Sequence, residues 1–230
     1  METLQPSSLK PDYERDGFVI VPDLLTVLEC EELKAEAKRV LEQHAKRSAS
    51  VYVHVAVVSR RFRELSEDRR VVDVLERLMP EGVMFLSDNI VCKAADKTFP
   101  TPWHIDRFYW RGTRPKLSVW IPLDDASAEN GTLTVVPGSH RKDWTMVKKG
   151  LPNGEFGEEV GNVSWRKSDI VTCAIRRGTA VFFSDGLVHG SAPNSSGRER
   201  FAIIGTYHAP QEDEPFDRNF PARKILRAAR

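Results

Sequence analysis

A mainly β chain is predicted, rolled into a double-stranded β-helix (jelly roll) with N-terminal helices packed on one sheet. Three observations carry this. Helical periodicity is confined to the part before Pro80; from Val83 onward short runs alternate with period two; and these runs are separated by turn-forming Gly, Pro and Asn. The length of 230 residues suits one domain with a full sandwich core. No internal repeat, low-complexity tract or linker divides it. Residues 1–230 are therefore read as a single domain whose jelly-roll core spans about 83–210.

In order along the chain, residues 1–16 form a lead-in with a helical turn around Leu9 to Arg15. Gly17 opens a short strand, Phe18-Val19-Ile20-Val21, closed by Pro22. Thr26-Val27-Leu28-Glu29 is a capping box, because the Thr hydroxyl takes an orphan N–H while the Glu reaches back. A helix follows to about His44, with Leu33, Ala37, Val40 and Leu41 on one face. Val51, Val53, Val55 and Val57 alternate with Tyr52, His54 and Ala56, which predicts a strand. A second helix, begun by Ser66, turns Val71, Val72, Leu75 and Leu78 inward and stops at Pro80. Strands are then expected over 83–94, 116–123, 132–136, 169–175, 179–184 and 200–208. In 116–123, Leu117, Val119, Ile121 and Leu123 face one way, Ser118 and Trp120 the other. Asn130-Gly131 marks a tight turn between two strand-like runs. The longest stretch without periodicity is 141–167, whose Trp144, Phe156 and Trp165 suit a segment covering a substrate.

Composition excludes several classes of partner. Net charge is +1, from 34 basic and 33 acidic side chains, so neither nucleic acid nor an acidic membrane is expected as principal partner. The basic C-terminal run from Arg218 to Arg230 is read as a solvated tail. Cys30, Cys92 and Cys173 are odd in number and dispersed, as in small buried thiols of a reducing compartment. No apolar run approaches membrane-spanning length. The N-terminus has neither a basic nor an apolar signal region, and the C-terminal Ala-Ala-Arg is not a peroxisomal address. The expected location is cytoplasmic. Oligomeric state is not legible.

The chemistry lies in one set of spacings. His104-Ile105-Asp106 is followed eighty-three residues later by His189, and Arg200 comes eleven residues after that. In extended chain, residues i and i+2 share a face, so His104 and Asp106 can grip one metal ion from one side. A histidine from a distant strand completes two imidazoles and a carboxylate, the set that leaves open positions on non-heme Fe(II). Arg200 supplies a planar, permanently charged fork for the carboxylate of an organic co-substrate. It shares its strand face with Ala202, Ile204 and Thr206. Lys93, on a strand among apolar residues, and Trp120 are further candidates for that co-substrate pocket. No His-Glu-x-x-His stands in the chain, which argues against a zinc hydrolase.

The ordered series Trp103-His104-x-Asp106, Leu117-Ser118-Val119-Trp120-Ile121-Pro122-Leu123-Asp124-Asp125, Glu129-Asn130-Gly131-Thr132-Leu133, Val136-Pro137-Gly138-Ser139-His140 and His189-Gly190-Ser191-Ala192-Pro193-Asn194, with Arg200, resembles the phytanoyl-CoA dioxygenase family. The likeness runs from about Asp16 to Tyr207. It implies a jelly-roll, Fe(II)- and 2-oxoglutarate-dependent oxygenase that uses O2, with His104, Asp106 and His189 on iron. Arg200 would hold the distal carboxylate of 2-oxoglutarate, with Ser191 as its hydroxyl partner. The Pro-Gly-Ser-His turn at His140 would be structural. His54 and His208 are not assigned to metal.

The resemblance further implies oxidation of a small-molecule substrate with release of succinate and CO2. Halogenating relatives have a small residue where Asp106 stands, so hydroxylation or a related oxidation is expected. A compact natural-product or metabolite scaffold is preferred over an acyl-CoA thioester. A jelly-roll protein that binds metal or ligand without turnover is the runner-up from another class. Substrate contacts are sought at Phe108, Tyr109, Trp110 and Arg111 after the iron motif, and at Arg60 and Arg61.

Overall fold

The computed structural model describes residues 9–45, 50–94, 98–109, 115–148, 157–161, 163–210 and 218–228. Five helices come early: α1 (Leu9–Asp16), α2 (Val27–His44), α3 (Val55–Val58), α4 (Arg60–Ser66) and α5 (Arg69–Leu78). β1 (Phe18–Val21) and β2 (Val51–Val53) lie among them. The rest is strand: β3 (Val83–Lys93), β4 (Thr101–His104), β5 (Lys116–Pro122), β6 (Thr134–Val135), β7 (Met146–Lys148), β8 (Glu158–Val160), β9 (Val171–Thr172), β10 (Ala180–Ser184), β11 (His189–Ser191), β12 (Arg200–His208) and β13 (Lys224–Arg227).

The larger sheet runs β1-β10-β5-β12-β3-β13, with β2 also on β3; the smaller runs β4-β11-β6-β9. All pairings are antiparallel. This is the expected jelly roll. The larger sheet has two distinct faces because side chains alternate along each strand. Leu117, Val119, Ile121, Phe201, Ile203 and Tyr207 pack with Leu33, Val40, Phe62, Val71 and Leu75 of the helices in the main core. The residues between them, Ser118, Trp120, Arg200, Ile204 and Thr206, face the opposite way. Several of these line a cavity between the sheets.

The capping box of α2 forms: Glu29 N–H donates to Thr26 Oγ1 at 3.2 Å, and Thr26 N–H to Glu29 Oε2 at 2.7 Å. Four expectations are corrected. The valine alternation does not continue as strand beyond Val53. His54 turns into the left-handed region (φ 60°), and α3 begins. The cause is tertiary. The Asp88 carbonyl accepts the His54 N–H at 2.7 Å, and its carboxylate accepts the Ala56 N–H at 2.8 Å. Ser66 ends α4 rather than starting the next helix, and Asp68 caps α5 through Arg70 N–H.

The basic C-terminal run is not a free tail. β13 pairs with the start of β3, and Phe220 is buried. In 141–167, β7 and β8 form a ribbon, and Trp144 stacks edge-on against Trp165 at 5.4 Å. Val160 packs with Ile105, Val136 and Val188. The described part of this segment contributes nothing to the cavity lining; Gly150, Gly154 and Phe156 lie outside the described residues. The turn at Asn130-Gly131 is present, but it carries the chain from the larger sheet to the smaller instead of closing a hairpin. Gly131 has φ +72°, and a Cβ there would strike the Ala192 carbonyl and the Lys93 side chain.

Candidate active site

His104 and His189 are register partners on β4 and β11. Their rings lie 4.1 Å apart, centroid to centroid. β4 ends at His104; Ile105 stays extended, and Asp106 opens a 3-10 turn, Asp106–Phe108. The i, i+2 geometry therefore holds without a continuous strand. Asp106 Oδ1 is 3.7 Å from His104 Nε2 and 3.4 Å from His189 Nε2. One ligand atom from each of the three residues falls within 4.8 Å of the others.

Each imidazole is oriented by the same device. His104 Nδ1 is 2.8 Å from the Pro102 carbonyl and His189 Nδ1 is 2.9 Å from that of Leu187. A carbonyl can only accept, so both Nδ1 atoms carry the proton and both Nε2 lone pairs are left for a metal. Ser118 Oγ donates to Asp106 Oδ2 at 2.6 Å, leaving Oδ1 toward the histidines. Burial works against the Asp106 charge, but the facing His189 and His104 imidazoles hold its carboxyl well below the usual range. Burial pushes His104 down. Two nitrogens and a carboxylate oxygen on one side of a cavity of about 370 Å³ fit a divalent iron with open positions.

At the other end of the cavity Lys93 and Arg200 are direct register partners on β3 and β12. Both are almost fully buried. Arg200 Nη2 donates to the Gly131 carbonyl at 2.8 Å, while buried Nη1 has no hydrogen-bond partner among the described residues. The guanidinium lies 5.7 Å from the Trp120 ring centroid. Burial lowers Arg200 to about 10, so it remains charged at neutral pH. Lys93 does not reach the cavity wall. Its Nζ donates to Ser191 Oγ at 2.7 Å and to the Ala192 carbonyl at 2.5 Å, behind the wall. Asn194 braces this end by donating to the Lys93 and Arg198 carbonyls. An unpartnered buried guanidinium N–H beside a serine hydroxyl fits a carboxylate ligand.

His104, Asp106, His189, Arg200, Ser191 and Trp120 thus line one cavity. Phe108 does not; it packs in the satellite cluster with Ile105, Trp103 and Trp144, and its neighbour Tyr109 lines the cavity instead. A residue in a tight turn cannot share the aim of the residue beside it. Arg60 and Arg61 project from the exposed face of α4, ion-paired with Glu64 and Glu32, and are no part of the site. Trp110 and Arg111 lie outside the described residues. Sequence reasoning missed His54, Ser87, Asn89 and Phe220 on the cavity wall. It also left Ser118 without a role, although its position opposite the aliphatic set was the signal.

The fold and this site define an Fe(II)- and 2-oxoglutarate-dependent oxygenase. The chain belongs to the phytanoyl-CoA dioxygenase family, whose profile matches residues 13–202. It is similar to a probable alpha-ketoglutarate-dependent hypophosphite dioxygenase of Stutzerimonas stutzeri, 29% identical over 149 residues, covering 61% of this chain and 51% of that protein. It therefore spans about half of that relative's length. An ectoine dioxygenase of Nocardia farcinica is 26% identical over 236 residues, covering 89% of this chain and 78% of its own. Among solved structures, the non-heme alpha ketoglutarate dependent epimerase SnoN from nogalamycin biosynthesis superposes with a TM-score of 0.72 at 25% identity. It covers 94% of this chain and 89% of its own. No helix among the described residues is long and apolar enough to cross a membrane.

Proposed function

We propose that the chain, acting as one domain, oxidises a small-molecule substrate by hydroxylation or a related removal of hydrogen, with succinate and CO2 as co-products. The observation that carries this is the unpartnered Arg200 Nη1 in the same cavity wall as the His104, Asp106 and His189 donors. A metal-binding protein without turnover has no use for a buried guanidinium fork in the same cavity as its metal. The iron, with 2-oxoglutarate and O2 bound, supplies the oxidising power. The chain's own residues do the rest. His104, Asp106 and His189 hold the ion; the Pro102 and Leu187 carbonyls fix the two imidazoles, and Ser118 fixes the carboxylate. Arg200 and Ser191 receive the distal carboxylate, with Lys93 holding Ser191 and Trp120 walling the guanidinium. Because Asp106 occupies a metal position, chloride finds none there, and halogenation is not expected.

A compact scaffold of the kind made in natural-product biosynthesis suits a cavity of about 370 Å³ better than a CoA thioester. The three cysteines are free and buried, which supports a reducing, cytoplasmic setting. The test is 2-oxoglutarate-dependent O2 consumption and succinate formation with Fe(II), screened across candidate substrates. His104→Ala and His189→Ala should abolish it and leave the far-UV spectrum intact. Wild-type 2-oxoglutarate consumption by His189→Ala would overturn the metal assignment.

A further inference from the structure

The cavity-facing side of the larger sheet is laid out in rungs. One rung runs Phe183, Ser118, Thr206, Ser87 across β10, β5, β12 and β3, each residue the register partner of the next. At one end Phe183 lies 4.8 Å from the His189 ring, centroid to centroid, and Ser118 holds Asp106. At the other end Ser87 Oγ is 2.8 Å from His54 Nδ1. Ser118 and Ser87 stand two strands apart, about 10 Å at the usual strand spacing. The same sheet that fixes the metal carboxylate therefore fixes His54 one small-molecule width away.

His54 is held there at a conformational expense. It is one of two non-glycine residues with positive φ among those described. Its backbone is pinned by the Asp88 carbonyl, its ring by Ser87 and edge-on by Phe220 at 5.5 Å. With Nδ1 engaged, Nε2 is the atom left for a ligand. Burial pushes the ring's pKa below the ordinary histidine value. Asn89, one rung along, and Thr206 add neutral polar groups, while Val51 and Val53 of β2 supply apolar wall.

Resting on the function proposed above, we infer that His54, set by Ser87, is a specificity-determining residue that anchors a hydroxyl group of an uncharged, compact substrate across the cavity from the metal triad. A hydroxyl both donates and accepts, so it pairs with Nε2 whichever ring nitrogen carries the proton. A carboxylate or ammonium at this end would lie against valines and Phe220 without an opposite charge, which is disfavoured.

The test uses full-length protein loaded with Mn(II) and 2-oxoglutarate under nitrogen. Calorimetry with trans-1,4-cyclohexanediol, cyclohexanecarboxylate and cyclohexylamine reads binding rather than turnover. The diol should bind wild type at least tenfold more tightly than the acid or the amine. His54→Asn keeps a residue that accepts left-handed backbone but is too short to reach, and should weaken the diol tenfold or more. Ser87→Ala, which frees the ring without touching the backbone turn, should weaken it at least threefold. Equal binding of the diol by both variants, equal binding of the charged probes, or no diol binding by a wild type that does bind 2-oxoglutarate overturns the inference. Failure of wild type to bind 2-oxoglutarate overturns the underlying function as well.

Discussion

Arg200→Ala tests the co-substrate end most directly. Arg200 is 2% exposed, and its Nη1 has no partner among the described residues. Removing the side chain takes away the fork and leaves an incoming carboxylate buried with Ser191 alone, since Lys93 is spent on Ser191 and Ala192. Loss of one partner of a buried, hydrogen-bonded charge pair costs about 2–5 kcal/mol. At about 1.4 kcal/mol per decade this is a rise in Kd from about 30-fold to several-thousand-fold. The assay is calorimetric titration of 2-oxoglutarate into Mn(II)-loaded protein, wild type against variant. Metal affinity, measured in the same experiment without 2-oxoglutarate, should stay close to wild type, because Arg200 touches none of the three ligands. An unchanged Kd for 2-oxoglutarate would refute the reasoning. Arg198 could not be the substitute, since it is exposed in the turn before β12.

Burial and the Arg200 guanidinium push Lys93 down to about 7. An unfolded lysine titrates near 10.4, so between these values the unfolded chain binds the proton the folded chain has released, and stability rises with pH. Lys93→Met should therefore raise stability, relative to wild type, by on the order of 2 kcal/mol more at pH 6 than at pH 9. A pH-independent difference in chemical denaturation would contradict this. Ser118→Ala frees the Asp106 carboxylate to rotate and should weaken metal binding about 10- to 100-fold, read by competition with a chelator; wild-type affinity would make Ser118 a packing residue. Products formed by wild type in excess chloride should carry new oxygen or a new double bond. A chlorinated product by mass spectrometry would remove Asp106 from the metal.

Much of the fold and site was legible because period-two alternation assigns faces within one strand. Leu117 to Leu123 and Arg200 to His208 revealed which residues look inward, and the His104/Asp106 spacing survives the end of β4 because Ile105 remains extended. What alternation does not give is neighbourhood. The rung joining Phe183, Ser118, Thr206 and Ser87 is a product of strand order, so Ser118 and Ser87 had no assigned role until they stood in one line. His54 was hidden for a different reason. The valines around it carry a strand pattern, and a buried carboxylate thirty-four residues on, Asp88, overrides that pattern by capping α3. The C-terminal run misled through its charge. Its arginines and lysine among the described residues are exposed or half-buried, yet Phe220 between them is buried and β13 pairs with β3 through Lys224, Ile225 and Arg227.

β3 carries two short strands on one edge: β13 along Val83–Phe85 and β2 along Asn89–Val91. Where they leave a gap, His54 and Phe220 meet. His104, His189 and Arg200 are set by other strands, β4, β11 and β12; β11 and β12 lie inside their sheets, while β4 borders the smaller one and pairs with β11. The wall that would decide which molecule fits is thus a border of the larger sheet, and the apparatus that would oxidise it stands on other strands. Substitution or even replacement along that border can redraw the shape of the guest while β4, β11 and β12 keep the pairings that aim the reacting groups. A scaffold partitioned in this way lets selectivity drift by local edits at its margin, with the reaction itself inherited intact.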